Sequence, residues 1–318
     1  MSMKIIVIIP TRNNGNRIAA TLRHLFHQTI LPAHYEIIVV DNGSTDNTEE
    51  ILSGLEMEAV NLRWVKELKA SRAHARNRGI SESFGELVLF LDDDIEVEPH
   101  HLASHLACHA QSKGPVAVIG RVIDISPITP AWVEDYFHAR QVAGSPAADK
   151  ENSGIPLGLY FATGNVSLLR STLESIRISR SGESFYFDPA FRVREDGDMG
   201  CRLIKKDVGF VFADNIPCLH HHPRSWRSIV DRAYEGGYAL LQLIEKHPEV
   251  QLMGQKNVTA SLVINMGLGV VCLGLFVPAF ILKAIWPQLL RKVVGALLAY
   301  HTSRGFQQAL GDCRRNPQ

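Results

Sequence analysis

The sequence predicts an α/β protein with a mostly parallel sheet flanked by helices, followed by a helical hydrophobic tail. The first observation is that short, nearly continuous apolar runs alternate with helical stretches from Lys4 to about Asp94. Strands that are buried on both faces show this pattern, and the helices that connect parallel strands cover those faces. The second observation is a stretch of 26 residues, 257–282, without a charged side chain. Soluble helices seldom run so far without a charge, so this stretch predicts the tail.

Four strands and three helices are predicted within the alternating region. Ile18, Leu22 and Leu25 share one face of the first helix, and Ser44 or Asp46 is expected to cap the second. The predicted strands are 5–9, 36–40, 62–65 and 87–91, and the predicted helices are 16–28, 46–55 and 70–83. Ligands of such sheets bind beyond the carboxyl ends of the strands, and a site is therefore expected there.

The charges of the chain balance overall but not along its length. Of the 318 residues, 33 are Lys or Arg and 33 are Asp or Glu. Residues 256–318 hold seven of the basic residues and one acidic residue, a net charge of +6, which leaves −6 for residues 1–255. The neutral total argues against a partner that is a nucleic acid, and the 46% hydrophobic content excludes a disordered chain. The split predicts an acidic body and a basic tail.

Cysteine content and the first residues predict a cytosolic setting. The five cysteines are scattered and include no C-x-x-C pair, which is typical of reduced thiols. The apolar run before Pro10 has only five residues. That is too short for the core of a signal peptide, so the run is expected to be a buried strand.

Polar segments follow three of the predicted strands and should converge on one crevice. They are 10–15, 41–46 and 92–94. For 41–46 alone, a turn with a helix cap is the favoured interpretation. Asp92, Asp93 and Asp94 could be a solvated charge run, but three carboxylates at a buried strand end repel one another. A divalent cation, Mg²⁺ or Mn²⁺, would relieve that repulsion and allow the acidic crevice to bind a diphosphate.

The motifs resemble, in their order along the chain, the family-two glycosyltransferases of the GT-A type. They read P-T-R-N-N at 10–14, V-V-D-N-G-S-T-D at 39–46, A-R-N-R-G at 75–79 and F-L-D-D-D at 90–94. T-G-N at 163–165, R-E-D-G-D at 194–198 and C-R-L at 201–203 continue the match, which covers roughly residues 4–240. The resemblance implies a GT-A, Rossmann-like catalytic domain at 1–240. Residues 241–318 are then expected to be a helical, membrane-associated tail.

The resemblance also implies roles for the matching positions around a nucleotide-sugar donor. The positions implied to bind the nucleotide are Pro10, Thr11, Arg12, Asn13, Asp41, Arg76, Asp92 and Asp93, with Asp41 at the base and Asp93 at the ribose or metal. Asp94 is the implied metal ligand, and Asp92 and His220 are expected to join it. Gly164 and Asn165 are implied to bind the acceptor.

Glu195, Asp196 and Asp198 open a predicted helix. Part of this cluster is explained by the favourable placement of acids at a positive helix end. Sugar transfer also needs a carboxylate that accepts the proton of the acceptor hydroxyl. The resemblance assigns this role to Asp196, with Glu195 as the alternative. A single base and no obvious second nucleophile favour direct displacement with inversion at the anomeric carbon.

Two groups of histidines require an interpretation. Of His220, His221 and His222, the resemblance favours His220 as a metal or diphosphate contact, with His222 close behind. His101, His105 and His109 recur at helical spacing. They are interpreted as a polar helix face rather than as a metal site, because Leu102 and Leu106 mark the other face and no acid lies at a suitable spacing.

The uncharged stretch 257–282 exceeds the roughly 20 residues that cross a bilayer, and Lys256 and Lys283 flank it. A buried core helix is the alternative. A single crossing would export the basic residues that follow, so a bend near Pro278 or a second short span at 293–300 is expected. Residues 257–300 would then contact membrane lipid, with both ends on the cytoplasmic face of the cell membrane.

The sequence therefore predicts a membrane-associated, inverting glycosyltransferase. It would move one sugar from a nucleotide-sugar donor to a lipid-linked or surface-glycan acceptor, with the segment 126–160 contacting the acceptor. Chain elongation is disfavoured because 224–227, R-S-W-R, lacks the Q-x-x-R-W motif of processive relatives. The alternatives are a non-catalytic nucleotide-sugar-binding scaffold and a nucleotidyltransferase on a similar sheet.

Overall fold

The computed structural model describes residues 4–126, 128–129, 161–222, 224–248, 297, 299–309 and 312. The chain divides into two compact units. The first unit comprises residues 1–125 and 157–221, and the second comprises 126–156 and 222–318. The predicted boundary at residue 240 falls within a helix of the second unit, Trp226–Lys246.

The first unit is built on an eight-stranded sheet. Its strands are β1 (Ile5–Thr11), β2 (Tyr35–Asp41), β3 (Leu62–Lys66), β4 (Leu87–Leu91), β5 (Ile95–Val97), β6 (Val116–Asp124), β8 (Asn165–Leu169) and β11 (Gly209–His220). Strand β7 (Ile128–Thr129) belongs to the second unit. The spatial order is β3-β2-β1-β4-β8-β6-β11-β5. A separate hairpin pairs β9 (Ile178–Arg180) with β10 (Glu183–Phe185).

The helices of the first unit alternate with these strands along the chain. They are α1 (Gly15–Phe26), α2 (Thr48–Glu58), α3 (Arg72–Ser81), α4 (His101–Gln111), α5 (Arg170–Ser175) and α6 (Glu195–Ile204), with a short 3₁₀ turn at Pro32–His34. Strands β1 to β4 are joined by helices, and the pairs β1–β2, β2–β3 and β1–β4 are parallel. The predicted strand and helix alternation is therefore confirmed in this half of the sheet.

Residues 5–9 of β1 are fully buried because both faces of the sheet are covered. Ile6 and Ile8 pack into one apolar cluster with residues of α3, and Ile5 and Val7 pack into another with residues of α1 and α2. Continuous apolar strands of this kind are expected where helices cover both faces. This buried sheet is the rigid base from which the polar loops project.

The other half of the sheet contains antiparallel pairs that the alternation does not predict. β8 runs antiparallel to both β4 and β6, and β5 runs antiparallel to β11. Only the residues 92–94 separate β4 from β5. A parallel crossover needs a dozen or more residues, so β5 cannot be a parallel neighbour of β4; it lies at the edge of the sheet beside β11.

The start of α2 differs from the prediction. The helix begins at Thr48, with Asn47 rather than Ser44 or Asp46 at the N-cap position. The carboxylate of Asp46 accepts hydrogen bonds from the backbone N–H of Thr48, at 3.1 Å, and from its hydroxyl group. Asp46 therefore stabilises the turn before the helix, while the hydroxyl of Ser44 bonds to Asp41.

The histidine face of α4 is polar, as predicted, but it is buried against the sheet. His101, His105 and His109 are each at most 8% exposed. His105 lies between Ser167, 2.8 Å from Nδ1, and Asn165, 2.9 Å from Nε2. Burial lowers the pKa of all three imidazoles, which keeps them neutral. Within the described ranges they form no group with metal-ligand spacing.

The second unit contains α7 (Trp226–Lys246) and the two-residue strand β12 (Arg224–Ser225), which pairs in parallel with β7. Ser225 and Ser228 form a reciprocal capping box at the start of α7. Helical residues 299–309 lie against α7, where a Cβ atom on Gly237 would come within 1.8 Å of the carbonyl oxygen of Thr302. The absence of a side chain at Gly237 allows this close backbone approach.

Two predicted segments lie mainly outside the described residues. They are the proposed membrane segment 257–282 and the proposed acceptor segment 126–160, of which only 126, 128 and 129 are described. In the part of the chain that the structure describes, no helix combines the length and the apolar character needed to span a bilayer.

Candidate active site

The polar loops at the ends of β1, β2 and β4 meet, as the sequence predicts. The hydroxyl of Thr11 donates to the Asp93 carboxylate at 2.5 Å, which joins the first loop to the third. The side-chain oxygen of Asn13 accepts the backbone N–H of Thr45 at 2.7 Å, which joins the first loop to the second. The carboxyl ends of parallel strands form one crevice, and these bonds hold its rim together.

Asp41 occupies the end of β2 and is fully buried. Its carboxylate accepts hydrogen bonds from the backbone N–H of Ser44, at 3.1 Å, and from the Ser44 hydroxyl. This is the turn interpretation that the sequence favours for the segment. Asn42, which the sequence analysis missed, ties the turn to β1 and β3, because it bonds to the carbonyl oxygens of Thr11 and Glu67.

The first loop presents its polar side chains to solvent. Arg12 and Asn13 are exposed, and Thr11 is buried beneath them. Asn13 adopts a left-handed backbone conformation with φ of 53°, which Asn tolerates better than most residues. Arg12 is therefore open to solvent at this end of the sheet, and its predicted contact with a nucleotide remains a prediction.

Asp93 is half-buried and follows β4. Burial raises the pKa of its carboxyl group to about 6, although the hydrogen bond from Thr11 opposes the shift. Asp92, one residue earlier, lies 3.6 Å from the guanidinium of Arg76. Gly164 lies beside Asp92, where a Cβ atom would come within 3.0 Å of the carboxylate.

Asp94 and His220 form the part of the crevice that suits a metal ion. Asp94 is 6% exposed, and its Oδ1 atom lies 3.0 Å from Nε2 of His220. On the other side of the ring, Nδ1 lies 2.6 Å from Oδ1 of Asp124. Burial lowers the pKa of His220, but the carboxylates of Asp124 and Asp94 outweigh it and raise the pKa to about 9. Carboxylate and imidazole together are suitable donors for Mn²⁺.

Of the neighbouring histidines, His221 contacts a different carboxylate. Nε2 of His221 lies 3.0 Å from the carboxylate of Glu96. His222 belongs to the second unit, where Arg232 lies 3.0 Å from its Nε2 atom. Within the first unit, His220 rather than His221 therefore faces Asp94.

The three acids at the start of α6 have different environments. Glu195 is buried and accepts a hydrogen bond from Arg76 at 2.7 Å. Asp198 is also buried and pairs with Arg202 at 2.9 Å. Asp196 is partly exposed, and its carboxylate accepts the backbone N–H of Gly197 at 2.8 Å. Burial and the charge of Glu195 raise the pKa of Asp196 to about 6, with Arg76 opposing the shift.

Arg76 connects the acids of β4 with the acids of α6. It is 3% exposed, and its guanidinium lies near Asp92, contacts Glu195 and packs 5.6 Å from the centre of the Phe187 ring. The resemblance to the family implies that Arg76 lies near the nucleotide. The structure shows that it neutralises two carboxylates at the same edge of the sheet.

Asn165, an expected acceptor contact, points into the protein. Its side chain is 1% exposed, crosses the strand β6 at Gly120 and donates to the carbonyl oxygen of Ile216 at 3.2 Å. A Cβ atom on Gly120 would lie 2.2 Å from the Asn165 amide nitrogen, so glycine leaves the space for this crossing. A side-chain contact with an acceptor would require these bonds to break, and the acceptor roles of Gly164 and Asn165 remain predictions.

Replacing Asn165 with Ala is expected to lower the free energy of unfolding by ~1–3 kcal/mol, because His105 and the Ile216 carbonyl lose a buried hydrogen-bond partner. Urea unfolding of the full chain measures the loss. Asn16→Ala, at an exposed position on α1, is the matched control and should change stability by less than about 0.5 kcal/mol. Equal stability of the two variants would contradict the inferred structural role of Asn165.

Asp124 is the site residue for which the sequence carries no signal. It is a single acid at the end of β6, and nothing near it in the chain suggests chemistry. It reaches the site only because β6 and β11 pair in parallel with Asp124 opposite His220. Knowledge of the strand order would have been needed to find it.

Comparison with known proteins identifies the family of this chain. The model of the family described as "Glycosyl transferase family 2" matches residues 6–176, more than half of the chain. Glycosyltransferase GlyG of Streptococcus pneumoniae is 35% identical over 121 residues, which are 38% of this chain and 39% of GlyG. Validoxylamine A glucosyltransferase of Streptomyces hygroscopicus subsp. limoneus is 32% identical over 126 residues, 39% of this chain and 28% of that protein. The chain thus spans less than half the length of these curated relatives.

A solved structure with a similar fold is the mannosyltransferase PcManGT from Pyrobaculum calidifontis in complex with GDP-Man and Mn²⁺. The TM-score is 0.67 at 17% sequence identity, and the alignment covers 98% of this chain and 88% of that one. At this identity the similarity shows the fold, which is the α/β sheet flanked by helices that the sequence predicts.

Proposed function

We propose that this chain, which belongs to glycosyl transferase family 2, is a glycosyltransferase. It would carry out a metal-dependent, inverting transfer of one sugar from a nucleotide-sugar donor. The observation that carries the proposal is the position of Arg76. Its guanidinium contacts Glu195 at 2.7 Å and lies 3.6 Å from Asp92, which brings the start of α6 beside the Asp92–Asp94 loop. The acids at the start of α6 and the acids after β4 are therefore at one edge of the sheet, which supports the proposal.

The donor would bind at the crevice formed by the three loops. Thr11 is buried and bonded to the half-buried Asp93, and Arg12 and Asn13 are exposed. Asp94 and His220 would hold Mn²⁺ or Mg²⁺, and their carboxylate and imidazole donors fit such an ion. When bound, the ion would neutralise the charge of the departing nucleoside diphosphate.

Asp196 would act as the base. As the acceptor oxygen forms its bond to the anomeric carbon, the Asp196 carboxylate accepts the hydroxyl proton, and the bond from that carbon to the diphosphate oxygen breaks. Attack from the face opposite the leaving group inverts the anomeric configuration. Asp196 suits this role because it is partly exposed and its pKa is raised to about 6, whereas Glu195 is buried against Arg76.

The first test is a thermal-shift screen of the full chain with nucleoside diphosphates and nucleotide sugars, each with Mn²⁺, Mg²⁺ or EDTA. GDP-mannose belongs in the panel because the structural neighbour PcManGT binds GDP-Man, and UDP-sugars are included for comparison. A ligand at 100 times its Kd should stabilise the fold by about 2.7 kcal/mol. Metal-dependent stabilisation by one nucleotide supports the proposal and identifies the nucleobase of the donor. If no nucleotide stabilises the protein, the donor-binding crevice is wrongly assigned.

We further propose that the acceptor is lipid-linked or part of a surface glycan, and that the enzyme works at the cytoplasmic face of the membrane. The uncharged stretch 257–282 and the net charge of +6 in residues 256–318 support this. Flotation of the full chain with vesicles of phosphatidylcholine, alone or mixed with phosphatidylglycerol, is the test. Binding that increases with the anionic lipid is expected. A chain that floats with neither vesicle would contradict membrane attachment.

A further inference from the structure

His220 is held between two carboxylates that approach opposite nitrogens of its ring. Nε2 lies 3.0 Å from Asp94, and Nδ1 lies 2.6 Å from Asp124. The His220 side chain is 13% exposed and that of Asp124 is 26% exposed, so the pair lies partly below the surface. The distance of 2.6 Å is at the short end for a hydrogen bond, as expected when an acceptor is ionised.

An imidazole binds a metal ion through one nitrogen and keeps its hydrogen on the other. A carboxylate that accepts the remaining N–H selects the tautomer, fixes the orientation of the ring and increases its basicity as a ligand. In His220 the nitrogen that faces Asp94 is Nε2 and the nitrogen that faces Asp124 is Nδ1. Asp124 therefore lies where such an orienting carboxylate belongs.

The opposition of Asp124 and His220 depends on an irregularity in β11. Ala213 pairs with Gly120, but Pro217 pairs with Arg121, so residues 214–216 are extra on β11. If the register at Ala213 continued without this shift, Asp124 would lie opposite Pro217 instead of His220. Asn165 stabilises the irregular segment through its bond to the carbonyl oxygen of Ile216. The bulge thus aims His220 at Asp124, a common use of bulges beside active sites.

We propose that Asp124 is a positioning residue of the metal site. It holds the Nδ1–H group of His220, so that the Nε2 lone pair is directed towards the side of the ring where Asp94 lies. The inference rests on the proposed metal site at Asp94 and His220. It assigns Asp124 no contact with the donor or acceptor, and it predicts that loss of its charge weakens metal binding while the fold persists.

The first experiment measures Mn²⁺ affinity of the full chain by electron paramagnetic resonance, alone and with UDP or GDP added. Asp124→Asn is expected to weaken Mn²⁺ binding by ~10–100-fold. Glu96→Gln is the matched control, because Glu96 also pairs a carboxylate with a histidine, His221, at 3.0 Å. The control should bind Mn²⁺ within about twofold of the wild type, since a twofold change is only about 0.4 kcal/mol.

Asp94→Asn separates the failure of this inference from the failure of the metal site itself. If Asp94→Asn binds Mn²⁺ like the wild type, the proposed metal site is wrong. If Asp94→Asn loses Mn²⁺ but Asp124→Asn keeps the wild-type affinity, the metal site stands and the role of Asp124 is wrong. Unfolding midpoints of all variants show whether lost affinity follows from a lost fold.

A second measurement needs no variant at Asp124 and detects the tautomer directly. In ¹⁵N-histidine spectra of the wild-type chain loaded with Cd²⁺, a diamagnetic substitute for Mn²⁺, His220 is expected to keep its hydrogen on Nδ1. His220→Ala identifies its signals. A purely structural ion pair between β6 and β11 would not require this tautomer, and a hydrogen on Nε2 in the Cd²⁺-loaded chain would overturn the proposal.

Discussion

Replacement of Asp196 by Asn is expected to lower kcat by ~10²–10⁴-fold, which is the contribution of a general base. Asn has nearly the same shape as Asp but cannot accept the proton of the acceptor hydroxyl. Binding of the nucleoside diphosphate should persist, because Asp196 lies at the start of α6 and the acids proposed to bind the donor follow β4. The expected result is therefore a loss of turnover without a loss of donor affinity.

The measurement combines initial rates of sugar transfer with the thermal shift produced by the nucleoside diphosphate. Asp207→Asn is a suitable control because Asp207 is exposed just after the same helix and has a left-handed φ of 55°, which Asn also accepts. The control should transfer sugar at the wild-type rate. If the purified Asp196→Asn protein transfers sugar as fast as the wild type, Asp196 is not the base.

The same carboxylate predicts a pH dependence. Because burial and Glu195 raise the pKa of Asp196 to about 6, its carboxyl group becomes protonated below that pH and can no longer accept a proton. kcat/KM should therefore fall as the pH decreases from about 7 to about 5. Burial also raises the pKa of Asp93 to about 6. The variant Asp196→Glu distinguishes the carboxyl groups of Asp196 and Asp93. If the fall in kcat/KM at low pH is caused by protonation of Asp196, its midpoint should shift to a different pH in this variant.

Replacement of Asp94 by Asn is expected to lower the transfer rate by at least ~10²-fold, the effect of removing one group that stabilises developing charge. The carboxylate of Asp94 is buried, and the ring of His220 lies 3.0 Å away. An amide in its place is uncharged, so a divalent cation would be bound more weakly. Metal-dependent binding of the nucleoside diphosphate should be lost together with the rate.

EDTA treatment of the wild type should cause the same loss of transfer rate as Asp94→Asn. Added Mn²⁺ or Mg²⁺ should restore the activity of the EDTA-treated wild type but not that of the Asp94→Asn variant. Rates of transfer measured across a metal titration give the comparison. Glu96→Gln, two residues along the chain, is the control for a lost carboxylate near the same loop. Full activity of the wild type in EDTA would exclude a required metal ion.

The sequence predicted the parts of the site that depend on single strands and the loops that follow them. Apolar runs identified β1 to β4, and the rule for the carboxyl ends of parallel strands brought together the loops of Thr11, Asn13 and Asp93. Those loops do converge, because neighbouring parallel strands end at the same edge. The roles of these residues towards a donor are not decided by that geometry and stay predictions.

The sequence did not predict which polar groups the protein uses for its own packing. His105 looked like part of a polar helix surface, and Asn165 looked like an acceptor contact. Both are buried and bonded to each other at 2.9 Å. Helical periodicity distinguishes a polar helix face from an apolar one. It does not show that polar side chains of a neighbouring strand cover the polar face.

The sequence by itself therefore determined the sheet of alternating strands and helices, the acidic loop after β4 and the acidic start of α6, because these are local patterns of a few residues. The tertiary structure alone decided which acidic side chain pairs with which basic side chain. Arg76 meets Glu195 across 119 positions, and Asp124 meets His220 across 96. Contacts so distant in the chain follow from strand order and from the bulge in β11, and no local pattern encodes either of them.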